Sequence, residues 1–475
     1  MSRSLPSESA AGAIREAVIG GLPSTIADLS RLVRIPSVSW PGFDPADVEA
    51  SANAVAELLR GTGVFETVAV ERAARPDGSP GHPAVLARRP ARGGAPTVLL
   101  YAHHDVQPPG GDEDWETPPY EPTLVPTPQG ERLYGRGAAD DKAGVMAHVA
   151  AIRALTEAVG ELDLGLAVFI EGEEEDGSPS FKDFIVRHRD ALAADAIVVA
   201  DSGNWDLETP AITVGLRGNA KFVLTLRTLE HASHSGMYGG VVPDATMAAV
   251  RLFSTFWDAD GAVAVEGLAR RAAEVPDYPE ARLREEAGLP PAGSTVGRGP
   301  LLDRIWNQPS ITVTGMDLPS VLNASNTLTP VVRAMISVRV APGQSAADAF
   351  AAIQAHIAAN APFGARIAYD RIELGEPFLV DASAELFALA KDAMAAGWGR
   401  EAVEMGVGGS IPFIAELVDV FPSAQILVTG VEDADSRAHS PNESLHLGVL
   451  RRAILAEALF LAALNEQAPG VESGL

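Results

Sequence analysis

Three short apolar runs in this chain each give way, at their C-terminal end, to acidic or imidazole side chains. Pro96–Tyr101 leads to His103 and Asp105, Leu164–Ile170 to Glu171–Asp176, and Ala196–Ala200 to Asp201. Helical periodicity surrounds them, at Thr25–Ile35 and Val48–Arg60 before the first run and at Asp141–Leu155 after it. Adjacent parallel strands cannot be joined by a hairpin and need a crossover, which helices supply. The pattern predicts an α/β fold. A mostly parallel sheet would carry helices on both faces and collect functional groups at the C-terminal ends of its strands.

The pattern changes near Gly215-Leu-Arg-Gly218. Strand Lys221–Leu229, helix Ala245–Phe256, strands Ser310–Thr314 and Val331–Val340, helix Ala346–Ala359 and strand Arg366–Arg371 follow in turn. That order, β-α-β-β-α-β, is the ferredoxin-like split unit, with the Pro-, Gly- and charge-rich stretch 258–307 as an elaboration on it. After Asp381 the α/β pattern resumes with helix Ala384–Ala396, strand Gln425–Val428 and helix Leu447–Leu464. We therefore expect one domain over 1–215 and 382–475, interrupted by a smaller inserted domain over 216–381. A chain of 475 residues exceeds what a single core normally supports.

Composition narrows the function classes. A formal net charge of −27 leaves nothing to offset phosphate repulsion, so nucleic acid is excluded as a partner. There is no cysteine, which removes disulfides and thiolate nucleophiles and leaves His, Asp and Glu as metal donors. No apolar run approaches the roughly 20 residues of a membrane helix. The opening MSRSLPSESAAGAIREAV has no basic segment followed by an apolar one. We expect no membrane partner and a cytoplasmic protein.

Chemistry concentrates in a few segments. In Tyr101-Ala-His-His-Asp105, His103 is a candidate metal ligand and Asp105 the carboxylate that orients its ring; a plain polar turn is the alternative. Gly135-Arg-Gly-Ala-Ala-Asp-Asp-Lys-Ala-Gly144 places Asp140 before a helix, where an Asp is also an ordinary N-cap. In Ile170-Glu-Gly-Glu-Glu-Glu-Asp-Gly-Ser178, crowded acids repel unless a cation holds them, which makes Glu175 a candidate ligand. Glu174 is then a candidate general base whose pKa is raised by burial and by its neighbours. Asp201 and His439, in Ala438-His-Ser-Pro-Asn-Glu443, read alone as a strand-end Asp and a surface His. Their company makes them candidate ligands. His234, in His231-Ala-Ser-His-Ser-Gly-Met-Tyr-Gly-Gly240, could donate to a developing oxyanion, and Arg339 could clamp a substrate carboxylate. Gly408-Gly-Ser-Ile-Pro412 is a Gly-rich turn able to cradle an anion.

Together the segments YAHHDVQPP, LYGRGAADDKAG, IEGEEEDGSP, GLRG, HSGMYGG, SVRVAPGQ, GGSIP and AHSPNE resemble the M20 metallopeptidases, in their carnosinase-like dipeptidase branch, from about Leu29 to Leu464. The resemblance implies a dinuclear centre. His103 and Asp201 would bind one metal, Glu175 and His439 the other, and Asp140 would bridge them, with a cis peptide between Asp140 and Asp141. It implies Glu174 as general base, His234 reaching the active site of a partner subunit in a homodimer, and Thr327, Arg339 and Ser410 at the substrate. Beside the first ligand this chain departs from the family pattern with Ala102 and a second imidazole, His104.

The function expected is hydrolysis of the peptide bond of dipeptides, with two divalent ions per subunit, Zn²⁺ first and Mn²⁺ compatible with the same ligands. Two rivals stay open: an N-acyl amino acid deacylase working from the same site, and a metal-binding scaffold without catalysis.

Overall fold

The computed structural model describes residues 4–409 and 412–466. They fall into two compact units. The first is drawn from Met1–Val214, Val380–Met405 and Glu416–Leu475, the second from Gly215–Leu379 and Gly406–Ala415.

The sheet of the first unit runs in the order Thr67–Glu71, Ala84–Arg89, Gly165–Glu171, Thr97–His103, Ala196–Val199, Gln425–Val428, Ala211–Leu216. Its four central strands are mutually parallel, and the pairings at both margins are antiparallel. Along Thr97–His103 the side chains alternate between faces. Val98, Leu100 and Ala102 join a core built with helices Glu8–Val33, Pro45–Gly61, Lys142–Val159, Glu385–Trp398 and Leu447–Asn465. Tyr101 points to the opposite face, edge-on to Phe169 and Phe181, and Phe169 stacks on Phe184 of helix Phe181–Arg187 at 4.5 Å. Helices therefore cover both faces, as the alternation of elements requires. The first helix begins at Glu8, well before the expected Thr25. Gly20, Gly21 and Pro23 signal a break by propensity, but packing of Ile14, Val18, Leu29 and Leu32 into the core carries the helix through them.

One buried pair in this core gives a pH-dependent expectation. His148 Nδ1 lies 2.9 Å from Glu457 Oε1, and its Nε2 lies 2.9 Å from the Tyr101 carbonyl oxygen. Burial opposes the charged ring, but the Glu457 carboxylate outweighs it and holds the His148 pKa above 6.5. A group whose folded pKa is raised stabilises fully below its unfolded value and loses that contribution as pH rises through the folded value. The urea midpoint should therefore fall as pH climbs above 6.5, and His148→Phe should flatten this part of the profile. Identical pH slopes in the two proteins would refute the assignment.

The second unit is an antiparallel sheet ordered Arg366–Gly375, Gly218–Arg227, Val331–Val340, Ser310–Asp317. Helices Ala245–Phe253 and Ala346–Asn360 pack on one face, over Phe222, Leu224, Leu226, Val332, Ile336 and Val338. This is the ferredoxin-like order expected from the sequence. Segment Gly406–Ala415 groups with this unit, whereas the sequence placed it with the α/β domain. The reason is local: a Cβ on Gly406 would stand 2.6 Å from Trp306, and Arg217 Nε donates to the Gly408 carbonyl at 3.0 Å.

Candidate metal centre

Three parallel strands of the first unit end side by side. Pairing sets His103 against Glu171 and Tyr101 against Val199, so the His103–Asp105 segment, the 172–176 turn and Asp201 emerge together. Asp140 arrives from the turn before helix Lys142–Val159, joined to Asp141 by a cis peptide. His439 sits in a turn where Arg437, His439 and Asn442 all take positive φ. The capping alternative for Asp140 fails. Asp141 holds the N-cap position, and instead of capping the helix its Oδ2 accepts the His103 backbone N–H at 3.1 Å. Gly144 is required beside it, because a Cβ there would lie 2.1 Å from Asp141 Oδ1 and 2.5 Å from the Ala200 carbonyl.

Asp140 touches two imidazoles, one through each oxygen. Its Oδ1 lies 3.1 Å from His103 Nε2 and its Oδ2 2.9 Å from His439 Nε2. Glu175 Oε2 lies 3.3 Å from the same His439 nitrogen, and donor atoms of His103, Asp140 and Glu175 all fall within 4.8 Å of one another. Donors about 2.1 Å from a tetrahedral Zn²⁺ stand roughly 3.4 Å apart, so the Asp140 contacts to the two imidazoles, at 3.1 and 2.9 Å, are those of donors able to share a cation. Asp201 lies at its strand end among the same charges but outside that tight set.

The electrostatics point the same way. Burial raises the Glu175 and Asp201 carboxyls well above the usual carboxylate range, and neighbouring acids add to it against His103. Glu174, half-buried, is pushed up to about 7 by burial, with Asp105 and Asp140 adding to the rise and the His103 and His439 imidazoles opposing it. Carboxylates crowded this way are stabilised by divalent cations. The oxygen and imidazole donors present suit Zn²⁺ or Mn²⁺.

Asp105 organises the centre without belonging to the donor shell. Its backbone oxygen is 3.1 Å from His103 Nδ1, while its carboxylate accepts the N–H groups of Glu174 at 3.2 Å and Glu175 at 3.0 Å and the Ser39 hydroxyl at 2.7 Å. One residue thus serves both, its backbone oxygen fixing the imidazole tautomer and its carboxylate the acidic turn. His104 turns away. Its Nε2 meets the Pro83 carbonyl at 2.9 Å, and burial drops its pKa to about 4.

His234, Thr327 and Arg339 belong to the second unit. His234 and Thr327 are direct partners across a two-stranded antiparallel ribbon, and both are exposed. Arg339 is half-buried near the end of Val331–Val340, and its positive charge lowers the pKa of Arg217 after burial has done so first. Ser410 lies outside the described residues.

A family model described as Peptidase family M20/M25/M40 matches residues 99–463. This chain belongs to that family. Within the M20 peptidases it sits in the carnosinase-like dipeptidase branch. The cysteinylglycine-S-conjugate dipeptidase of Corynebacterium striatum is 35% identical over 376 residues, 78% of this chain and 81% of that one. The β-Ala-His dipeptidase of Rattus norvegicus is 26% identical, covering 82% of each chain. Among solved structures, the dipeptidase Dug1p of Saccharomyces cerevisiae superposes with a TM-score of 0.79 at 22% identity, over 98% of this chain and 100% of that one. That last likeness shows the fold.

Several residues of this M20 site were not legible as such in the sequence. Arg75 binds Glu173 through Nη2 at 3.0 Å and Asp176 at 3.3 Å, so part of the acidic run is neutralised by an arginine and only Glu174 and Glu175 turn to the centre. Gln107 donates to Glu175 Oε2 at 2.5 Å and Trp40 to the Glu175 carbonyl at 2.6 Å. Glu432 borders the centre, its carboxyl pushed up to about 8 by burial and by Asp140 and Glu443. The sequence did carry a signal for Glu432. It follows the parallel strand Gln425–Val428, as the other acids follow theirs.

Proposed function

We propose that this M20 peptidase is a dinuclear metallodipeptidase in which Glu174 is the general base. The observation that carries the reading is the convergence of His103, Asp140, Glu175 and His439, from strand ends and turns, with half-buried Glu174 among the same charges. His103 and Asp201 would hold one cation, Glu175 and His439 the other, with Asp140 shared and Asp105 orienting His103. When bound, Zn²⁺ or Mn²⁺ would polarise the scissile carbonyl and acidify the attacking water. The Glu174 carboxylate takes that water's proton and returns it to the amide nitrogen as the C–N bond breaks, leaving a carboxylate and a free amine.

The α/β unit would serve as the catalytic domain and the inserted unit as lid and dimerisation domain. His234 would act across a homodimer, donating a hydrogen bond to the tetrahedral oxyanion of the partner's substrate. Its Nδ1 already accepts the Gly236 N–H at 3.0 Å, which leaves Nε2 as the donor. Exposed Met237, Tyr238, Val241, Val321 and Leu322 of the same unit support contact with a second copy, since Val321 is 97% and Leu322 93% exposed. Arg339 would pair with the substrate carboxylate, with Thr327 and Ser410 as further contacts. The same reading places the protein in the cytoplasm.

A surround this acidic, with Glu432 beside the ligand set, favours a substrate whose reacting end bears an ammonium group. The test is amine release from free dipeptides and from matching N-acetyl amino acids, using metal-stripped protein with Zn²⁺ or Mn²⁺ restored. Metal-dependent cleavage of free dipeptides is expected. Cleavage of only the acetylated compounds would make the enzyme a deacylase, and metal binding without turnover of either would leave a scaffold.

A further inference from the structure

Resting on the dinuclear reading above, we propose that Glu443 is the positioning residue that sets metal affinity, by tying the Asp140 turn and the His439 turn into one frame. Glu443 is fully buried. Its Oε1 accepts the backbone N–H groups of Ala139 at 2.9 Å and Asp140 at 3.0 Å. Its Oε2 accepts the Gly137 N–H at 3.0 Å and Arg136 Nη1 at 2.7 Å. Its own carbonyl accepts the Gly135 N–H at 3.0 Å. One residue thus receives five hydrogen bonds from Gly135–Asp140.

The other end of the frame is covalent. Glu443 follows His439 by four residues in the turn closed by Ser444 N–H to the Ser436 carbonyl at 2.9 Å. Asn442 pins the same turn, accepting the Glu116 N–H at 2.7 Å and donating to the Asp114 carbonyl at 3.1 Å. His439 is itself 58% exposed and left-handed, so little packing holds its ring. Its distance from Asp140 is kept by the Glu443 carboxylate. A carboxylate is needed here because all four groups that face it are donors. In Glu443→Gln one side must present an NH₂ to two N–H groups, whichever way the amide turns.

The experiment compares wild type, Glu443→Gln and Asp433→Asn. Asp433 makes a buried bidentate pair with Arg132, at 3.1 Å for each bond, in the same part of the chain but without contact to Asp140. Metal affinity is read by competition with a chromophoric chelator, and ligand geometry by the visible absorption of Co²⁺-loaded protein. Glu443→Gln should weaken metal binding about 10–100-fold and change the Co²⁺ spectrum, as loss of a ligand-orienting partner does elsewhere. Asp433→Asn should lower the melting temperature and leave affinity and spectrum unchanged. Wild-type affinity and spectrum in Glu443→Gln would overturn the proposal, as would an equal affinity loss in Asp433→Asn. Should Glu443→Gln not fold, Arg136→Met removes the charged donor to Oε2, along with its bond to the Pro108 carbonyl and its place over the Trp115 ring. It should lower affinity in the same direction, and no change would overturn the proposal. Asp140→Asn serves as the reference: wild-type affinity there would sink the metal reading itself, whatever Glu443 does.

Discussion

Glu174→Gln is expected to cut kcat by about 10²–10⁴-fold, the usual worth of a positioned general base. Metal content and melting temperature should stay near wild type. The split follows from where the side chain sits. Its backbone N–H is held by Asp105 Oδ1 at 3.2 Å, a bond the amide variant keeps, while its carboxyl lies outside the tight donor set of His103, Asp140 and Glu175. Glutamine preserves shape and cannot accept the proton. KM should change little, because the lost interaction exists chiefly in the transition state. Steady-state kinetics on a free dipeptide, with metal counted in the same sample, give the answer. A variant with near-normal kcat would remove Glu174 from the mechanism.

The second large effect is expected on stripping the metals. Dialysis against a chelator should abolish turnover and lower the melting temperature on the order of 5–10 °C, since each saturated site adds a few kcal/mol to the folded state. Asp140, Glu175 and Asp201 are driven into one small volume by three strand ends and two turns, with Glu174 and Glu432 alongside. The imidazoles of His103 and His439 make the ion pairs found in this cluster among the described residues. Calorimetry of metal-free and reconstituted protein measures the difference. Equal melting temperatures would mean that the acids are held by the fold without a cation, and a chelated enzyme with full turnover would remove the metal from catalysis. Restoring Zn²⁺ and Mn²⁺ separately ranks them.

Much of this was readable from residue order. Short continuous apolar runs located the central strands and period-3.6 stretches the helices, and strands Val331–Val340 and Gln425–Val428 begin and end where the pattern does. These signals are local and strong. Apolar residues that alternate along a strand must face a core wherever it lies. The rule that acids and imidazoles follow parallel strands gathered His103, Asp105, Glu174, Glu175 and Asp201 before any coordinates.

What tertiary structure decided was which of those charges face one another. Glu173 and Glu175 are two residues apart in one acidic run, yet Arg75, about a hundred residues upstream, takes Glu173 while Glu175 meets His439. Asp140 and Asp141 are adjacent, yet one touches both imidazoles and the other holds a backbone amide of the His103 strand. His103 and His104 are neighbours, and one joins the donors while the other is buried against the Pro83 carbonyl. The first helix ran through Gly20 and Pro23 because long-range packing outweighed local propensity. Periodicity is carried by neighbours along the chain and survives in one dimension. Pairing of charges over hundreds of residues is set by strand register and turn geometry, and exists only once the chain has folded.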